Sequence, residues 1–174
     1  FFTGNMTSNK LYKNLGRLKF EDITKSAGVG GKDTWATGVS MADVNGDGLL
    51  DIYVCYSGKK SPESRRNELW INEGNFKFTE KAADYGIDDP SNSTQGLFFD
   101  FDNDGDLDMF ISKCSGPPCE LHRNDGNGVF TDISAIAGIN VTPIQTWSSA
   151  VADFDNDDDM DVIITASAGT HKFF

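Results

Sequence analysis

Asp43-Val-Asn-Gly-Asp-Gly-Leu-Leu-Asp51 decides how this chain is read. Its frame returns twice, as Asp100-Phe-Asp-Asn-Asp-Gly-Asp-Leu-Asp108 and Asp153-Phe-Asp-Asn-Asp-Asp-Asp-Met-Asp161. The shared pattern is Asp-x-Asp/Asn-x-Asp-x-x-apolar-Asp. A strand-like run precedes each copy (Trp35–Ala42, Thr94–Phe99, Thr146–Ala152), and another follows it (Asp51-Ile-Tyr-Val, Asp108-Met-Phe-Ile, Asp161-Val-Ile-Ile-Thr). Short runs rich in β-branched and aromatic residues are predicted strands, and the polar frame between them is a turn.

Farther out, a second pattern keeps step with the first. A Leu-x-x-Asn run, a Phe-led run and a Gly recur from Leu11, Leu69 and Leu121. The steps from Leu are 3 to Asn, 9 to Phe and 17 to Gly in every copy. From that Gly to the next acidic window the step is 15, 14 and 15. Register held this closely marks a repeat architecture. Each repeat offers four short strands, with single helical turns at Thr24–Ala27, Lys81–Tyr85 and Ser134–Ala137. The predicted fold is all-β, made of four-stranded antiparallel β-propeller blades. A β-solenoid would repeat on a shorter period.

The organisation that follows is the end of a preceding blade over 1–10 and repeats over 11–66, 67–119 and 120–174. Phe1-Phe2-Thr-Gly-Asn5 resembles a strand leaving an acidic window, and His171-Lys-Phe-Phe174 resembles the start of the next Leu-x-x-Asn strand. About three blades fall short of the roughly four to eight that close a propeller. The expectation is an excerpt of a propeller of six to eight blades, or a subunit completed by other copies, rather than a free monomer. Length varies mainly between each window and the next Leu. After Asp51 this stretch is long and carries Lys59, Lys60, Arg65 and Arg66, as a surface loop can.

Charge narrows the function. The 174 residues carry 15 basic and 27 acidic side chains, a formal net charge of -12. Phosphate neutralisation needs clustered cations, so nucleic acid is not an expected partner, and anionic membrane surfaces are disfavoured. No apolar run is long enough to span a membrane. The acids are concentrated, with 14 of 27 in the three windows. Like charges this close repel unless something offsets them.

A hard cation is the fitting offset. Ca²⁺ takes six to eight oxygens, and alternating short carboxylates in a tight turn supply them. Positions 1, 3, 5 and 9 would ligate through side chains: Asp43, Asn45, Asp47 and Asp51; Asp100, Asp102, Asp104 and Asp108; Asp153, Asp155, Asp157 and Asp161. Position 7 (Leu49, Asp106, Asp159) would ligate through its carbonyl. Gly46, Asn103 and Asn156 at position 4 tolerate a left-handed backbone. An EF-hand needs an acid at position 12 and flanking helices, but position 12 is Val54, Ile111 and Ile164. Mg²⁺ would use fewer protein ligands. About three Ca²⁺ ions, one per window, are expected. Losing Asp104 should then do more harm than losing Asp132, read as a surface acid.

These repeats resemble the FG-GAP/VCBS family, whose blades build integrin-α-type propellers and the cartilage-acidic-protein group. The resemblance rests on the Phe-x-Asp-Ile-Thr, Ala-Gly-Val, Trp-Ala-Thr-Gly and Asp-Val-Asn-Gly-Asp-Gly-Leu-Leu-Asp-Ile-Tyr-Val segments, which look like secreted bacterial members. It covers essentially the whole chain. It implies that the nine-residue loop joins adjacent strands of a blade and binds Ca²⁺. Asp158 departs from the family, which favours Gly at position 6.

Other chemistry is thinly represented. His122 occupies the slot of Tyr12 and Trp70, and no Cys/His cluster, nucleophile motif or phosphate-binding loop occurs. The chain is not read as an enzyme. Cys55 reads as a small buried residue, while Cys114 and Cys119 either close a disulfide across Ser-Gly-Pro-Pro or stand as thiols. Asn5, Asn92 and Asn140 head glycosylation sequons. Trp35, Trp70 and Trp147 either pack in the core or stack on sugars. The expected function is a calcium-binding extracellular or cell-surface scaffold for adhesion or assembly. Its partners would be protein or glycan ligands, or other copies of itself. The alternative is a carbohydrate-binding or polysaccharide-processing propeller.

Overall fold

In the computed structural model, residues 1–126, 128–139, 145–167 and 171–174 are described. The first strands are β1 (Tyr12–Gly16) and β2 (Lys19–Asp22), followed by the single helical turn α1 (Thr24–Ala27). One sheet then runs β3 (Trp35–Ala42), β4 (Asp51–Ser57), β5 (Glu68–Asn72) and β6 (Phe78–Glu80), all antiparallel, in that spatial order. The turn α2 (Pro62–Arg65) lies between β4 and β5, and α3 (Ala82–Tyr85) follows β6.

The next sheet repeats the plan with β7 (Asn92–Phe99), β8 (Asp108–Ser115), β9 (Glu120–Asn124) and β10 (Phe130–Asp132). A third contains β11 (Thr146–Ala152), β12 (Asp161–Ala166) and β13 (Lys172–Phe173). The first hairpin, β1–β2, forms a two-stranded sheet, and Phe2 bridges Lys10 beside it. The two middle sheets are consecutive four-stranded antiparallel blades, as expected, flanked by a two-stranded and a three-stranded sheet, and the described sheets do not form a closed barrel.

Each of the two four-stranded sheets draws strands from two successive sequence repeats. The window-flanking pair β3–β4 comes from one repeat, and β5–β6 comes from the next. Of the expected helical turns, the first two form. The third, from Ser134, is a hydrogen-bonded turn in which the Ala137 amide donates to the Ile133 carbonyl.

The core lies between the sheets, which explains the unbroken apolar runs after each window. Strand β4 is buried along its whole length. Its alternation sends Tyr53 and Cys55 to one face, with Leu69, Met109, Ile111 and Phe130. Ile52, Val54 and Tyr56 face the other way, beside Phe1, Trp70 and Phe78. In β8, Met109 and Ile111 join the first layer while Phe110 packs with Leu121, Val162 and Ile164. Period-2 alternation with both faces apolar is what a strand inside a stack of sheets requires.

Adjacent blades also touch through backbone. A Cβ on Gly38 would fall 2.3 Å from the Thr94 carbonyl oxygen, so only glycine fits there. Next to it the Thr37 hydroxyl donates to the Ser93 carbonyl at 2.8 Å, and the Thr94 hydroxyl donates to the Thr146 carbonyl at 2.9 Å.

Candidate metal centres

All three acidic windows connect the first two strands of a sheet and lie at the same end of the stack. Their closure is built from the aspartates themselves. Position 1 accepts the amides of positions 5 and 6 in every copy: Asp43 from Asp47 and Gly48, Asp100 from Asp104 and Gly105, Asp153 from Asp157 and Asp158, with the Asn156 amide as a third donor to Asp153. One oxygen of position 5 accepts the amide of position 7 (Leu49, Asp106, Asp159) at 2.8–3.0 Å. Position 9 accepts the amide of position 2 (Val44, Phe101, Phe154). Asp51 and Asp108 also receive the amides of Asn72 and Asn124, which ties each turn to the third strand of its blade.

The backbone takes the left-handed bend that the sequence pattern anticipates. Position 4 has φ values of +71°, +59° and +62° at Gly46, Asn103 and Asn156. Position 6 is also left-handed, at +84° and +94° for Gly48 and Gly105. Asp158 copies it at +71°, so the departure from glycine leaves the turn's course intact.

The result is convergent negative charge. Carboxylate oxygens of Asp100, Asp102 and Asp108 lie within 4.8 Å of one another, as do those of Asp153, Asp155 and Asp161. In the first window Asn45 takes the place of the middle acid. Burial pushes the Asp108 carboxyl up to about 6 and raises Asp51, against the backbone amides that each accepts. Repulsion from Asp157, then burial, raises Asp155. Arg123, at the rim of the second window, is paired with Asp125 at 2.7 Å. The Asn103 amide donates to Asp159 at 2.9 Å, joining the second and third loops. A hard, oxygen-preferring cation fits this donor set: all-oxygen, alternating, and clustered at a spacing where bare carboxylates repel.

Other candidates fall elsewhere. His122 is buried on β9 with Nε2 3.1 Å from Glu120. Cys55, Cys114 and Cys119 are all free thiols. Trp70 packs against the apolar layers, whereas Trp35 is 36% and Trp147 is 54% exposed. Asn5 is exposed, and the Asn92 side-chain oxygen accepts the Gly58 amide. The Asn140 sequon lies outside the described residues. No described helix is long and apolar enough to cross a membrane.

Sequence reasoning missed a buried ion cluster. Lys113 on β8 is fully buried, with its ammonium 3.3 Å from Asp89 and also paired with Glu120. Only the incongruity of a lysine within an apolar strand run signals it.

Antiparallel four-stranded blades, each turned at its first hairpin by an Asp-rich nine-residue loop, define a class of repeat protein built for propellers. The chain belongs to the FG-GAP-like repeat family, whose profile matches residues 1–54, 56–111 and 115–164. It is 31% identical over 150 residues to mouse cartilage acidic protein 1, covering 84% of this chain and 22% of that protein. Human cartilage acidic protein 1 is 26% identical over 164 residues, covering 90% of this chain and 24% of that protein. A T-cell immunomodulatory protein homolog of Plasmodium yoelii yoelii is 30% identical over 107 residues, covering 60% of this chain and 14% of that protein. The chain thus spans a quarter or less of the length of these relatives.

Proposed function

We propose that the chain is a calcium-stabilised, non-catalytic scaffold that presents loops to a protein partner outside the cell. The observation that carries this reading is the convergence of three carboxylates at positions 1, 3 and 9 of the second and third windows. In this reading the positions 1, 3, 5 and 9 side chains and the position 7 carbonyl hold Ca²⁺. The ion joins the two strands of each hairpin and offsets charge that the fold concentrates. Loops this exposed, with their acids already engaged by backbone amides, suit the weak sites of extracellular modules, with Kd of about 10⁻⁴–10⁻³ M. An extracellular setting supplies calcium at that level.

Isothermal titration of metal-stripped protein with CaCl₂ tests the proposal. Binding of about three Ca²⁺ per chain, with Mg²⁺ unable to compete at equal concentration, is the expected result. Absence of a calcium heat at millimolar concentration would overturn it. Carbohydrate binding is the second reading, and the exposure of Trp35 and Trp147 is the observation in its favour.

A further inference from the structure

The windows occupy one end of the stack, and the long β4–β5 loop turns at the other, since β4 runs from Asp51 away to Ser57. Beside that loop lies a groove of about 380 Å³, lined by Thr34 and Trp35 at the start of β3, by Asn5 and Met6, and by Ser57–Lys60. Its size is within the range of small-molecule sites. No carboxylate is among the described residues that line it, although the chain carries a net charge of -12. Lys59 and Lys60 are exposed there.

The loop is held in place rather than draped. Arg65 donates from Nη1 to the carbonyls of Gly58 and Lys60, and from Nε to that of Pro90. The Lys60 ammonium donates to the Asp33 carbonyl at 2.8 Å, and the Gly58 amide donates to Asn92 at 2.9 Å. Gly58, at φ +118°, brings the backbone alongside the Trp35 ring. The corresponding stretch in the next blade, from Ser115 to Glu120, is too short to build such a wall. Ordering a cationic loop before any ligand arrives lowers the entropy cost of binding.

We propose that this groove binds an anionic saccharide, with sugar C–H faces on Trp35 and sulfate or carboxylate groups on Lys59 and Lys60. An indole and two exposed lysines lining one groove match a ring that is apolar on its face and anionic on its rim. The exposed Asn5 side-chain amide lines the groove and can meet its hydroxyls, whereas the buried Thr34 hydroxyl is engaged by the Ser64 carbonyl. An acidic peptide fits less well, because a peptide gains most by pairing with a free strand edge. Here the start of β3 is already bridged, Trp35 to Asn5. The proposal sharpens the carbohydrate reading and is independent of the calcium one.

The test uses the whole chain from a bacterial host, saturated with Ca²⁺, and a heparin hexasaccharide as probe. The expected result is a millimolar or tighter Kd with quenching of Trp35 emission that Trp35→Phe removes. Lys59→Gln with Lys60→Gln should weaken binding about tenfold and lower the log–log salt slope by about two, one for each ammonium–anion contact. Lys13→Gln with Lys19→Gln, the same charge change on β1–β2, should leave binding as it was. No binding, or equal loss in both pairs, would overturn the proposal. So would equal affinity for hexaglutamate. Lysine-independent binding of uncharged hexa-N-acetylglucosamine would retain a carbohydrate site while overturning its anionic specificity.

Discussion

Asp158 occupies a left-handed position with φ +71°, where the other two windows use glycine. A Cβ in that region crowds the following carbonyl, and glycine avoids the contact at some cost in unfolded-chain entropy. Asp158→Gly is therefore expected to stabilise the calcium-free protein by about 0.5–1 kcal/mol, measured by urea unfolding. Asp104→Ala removes the acceptor of the Asp106 amide as well as one proposed ligand. It should lower the calcium stoichiometry by one, or weaken one site about tenfold or more, in calorimetry. Glu21→Ala, on the exposed β2 strand, is the suitable control. Asp132, which reads as a surface acid, is not: it accepts both the amide and the hydroxyl of Ser134, whose oxygen in turn accepts the Leu121 amide. The spacing of the windows is legible in sequence because the turn needs those residues in that order. Asp132 is exposed, as the sequence suggests, but its hydrogen-bonding role becomes visible only once β9 and β10 are paired.

At the scale of elements, strands were legible where alternation and turn residues agree, and β3 spans the predicted 35–42 run. The turn α2 was not, because Pro62–Arg65 lies within a polar loop without apolar periodicity. Lys113 illustrates a second limit, since its partners arrive from the loop before β7 and from β9. Burial alone would raise the Asp89 carboxyl, but Lys113 and the bonds from Ser91 and Ser93 hold it below the usual carboxylate range. With its folded-state pKa depressed, Asp89 contributes stability above the unfolded value near 3.9, and that contribution fades as pH falls through the folded one. Asp89→Asn should cost about 2–3 kcal/mol at pH 7, because Glu120 still faces Lys113 and softens the loss of a buried partner. Urea midpoints of the two proteins should converge below pH 4. A constant gap across that range would count against the ionic account.

For the whole molecule, three bound divalent ions would halve a formal charge of -12. A ligand held by the folded state alone stabilises by mass action. Chelation should lower the thermal midpoint by about 5–15 °C, read by circular dichroism. Readdition of CaCl₂ should restore it, and a midpoint indifferent to chelator would speak against metal in the windows. The stacking of blades was legible from the repeat itself. Which strands share a sheet was not, because the sequence period has no intrinsic starting point and only pairing sets one. That offset has an evolutionary reading. Since β3–β4 and β5–β6 of one sheet come from neighbouring repeats, a duplicated repeat does not arrive as a separate module. Spliced in at any phase, it completes the sheet upstream and opens the next one downstream, as a link is added to a chain. Loss of a repeat closes the gap by the same joint, so arrays of this kind can lengthen or shorten by recombination without inventing a new interface.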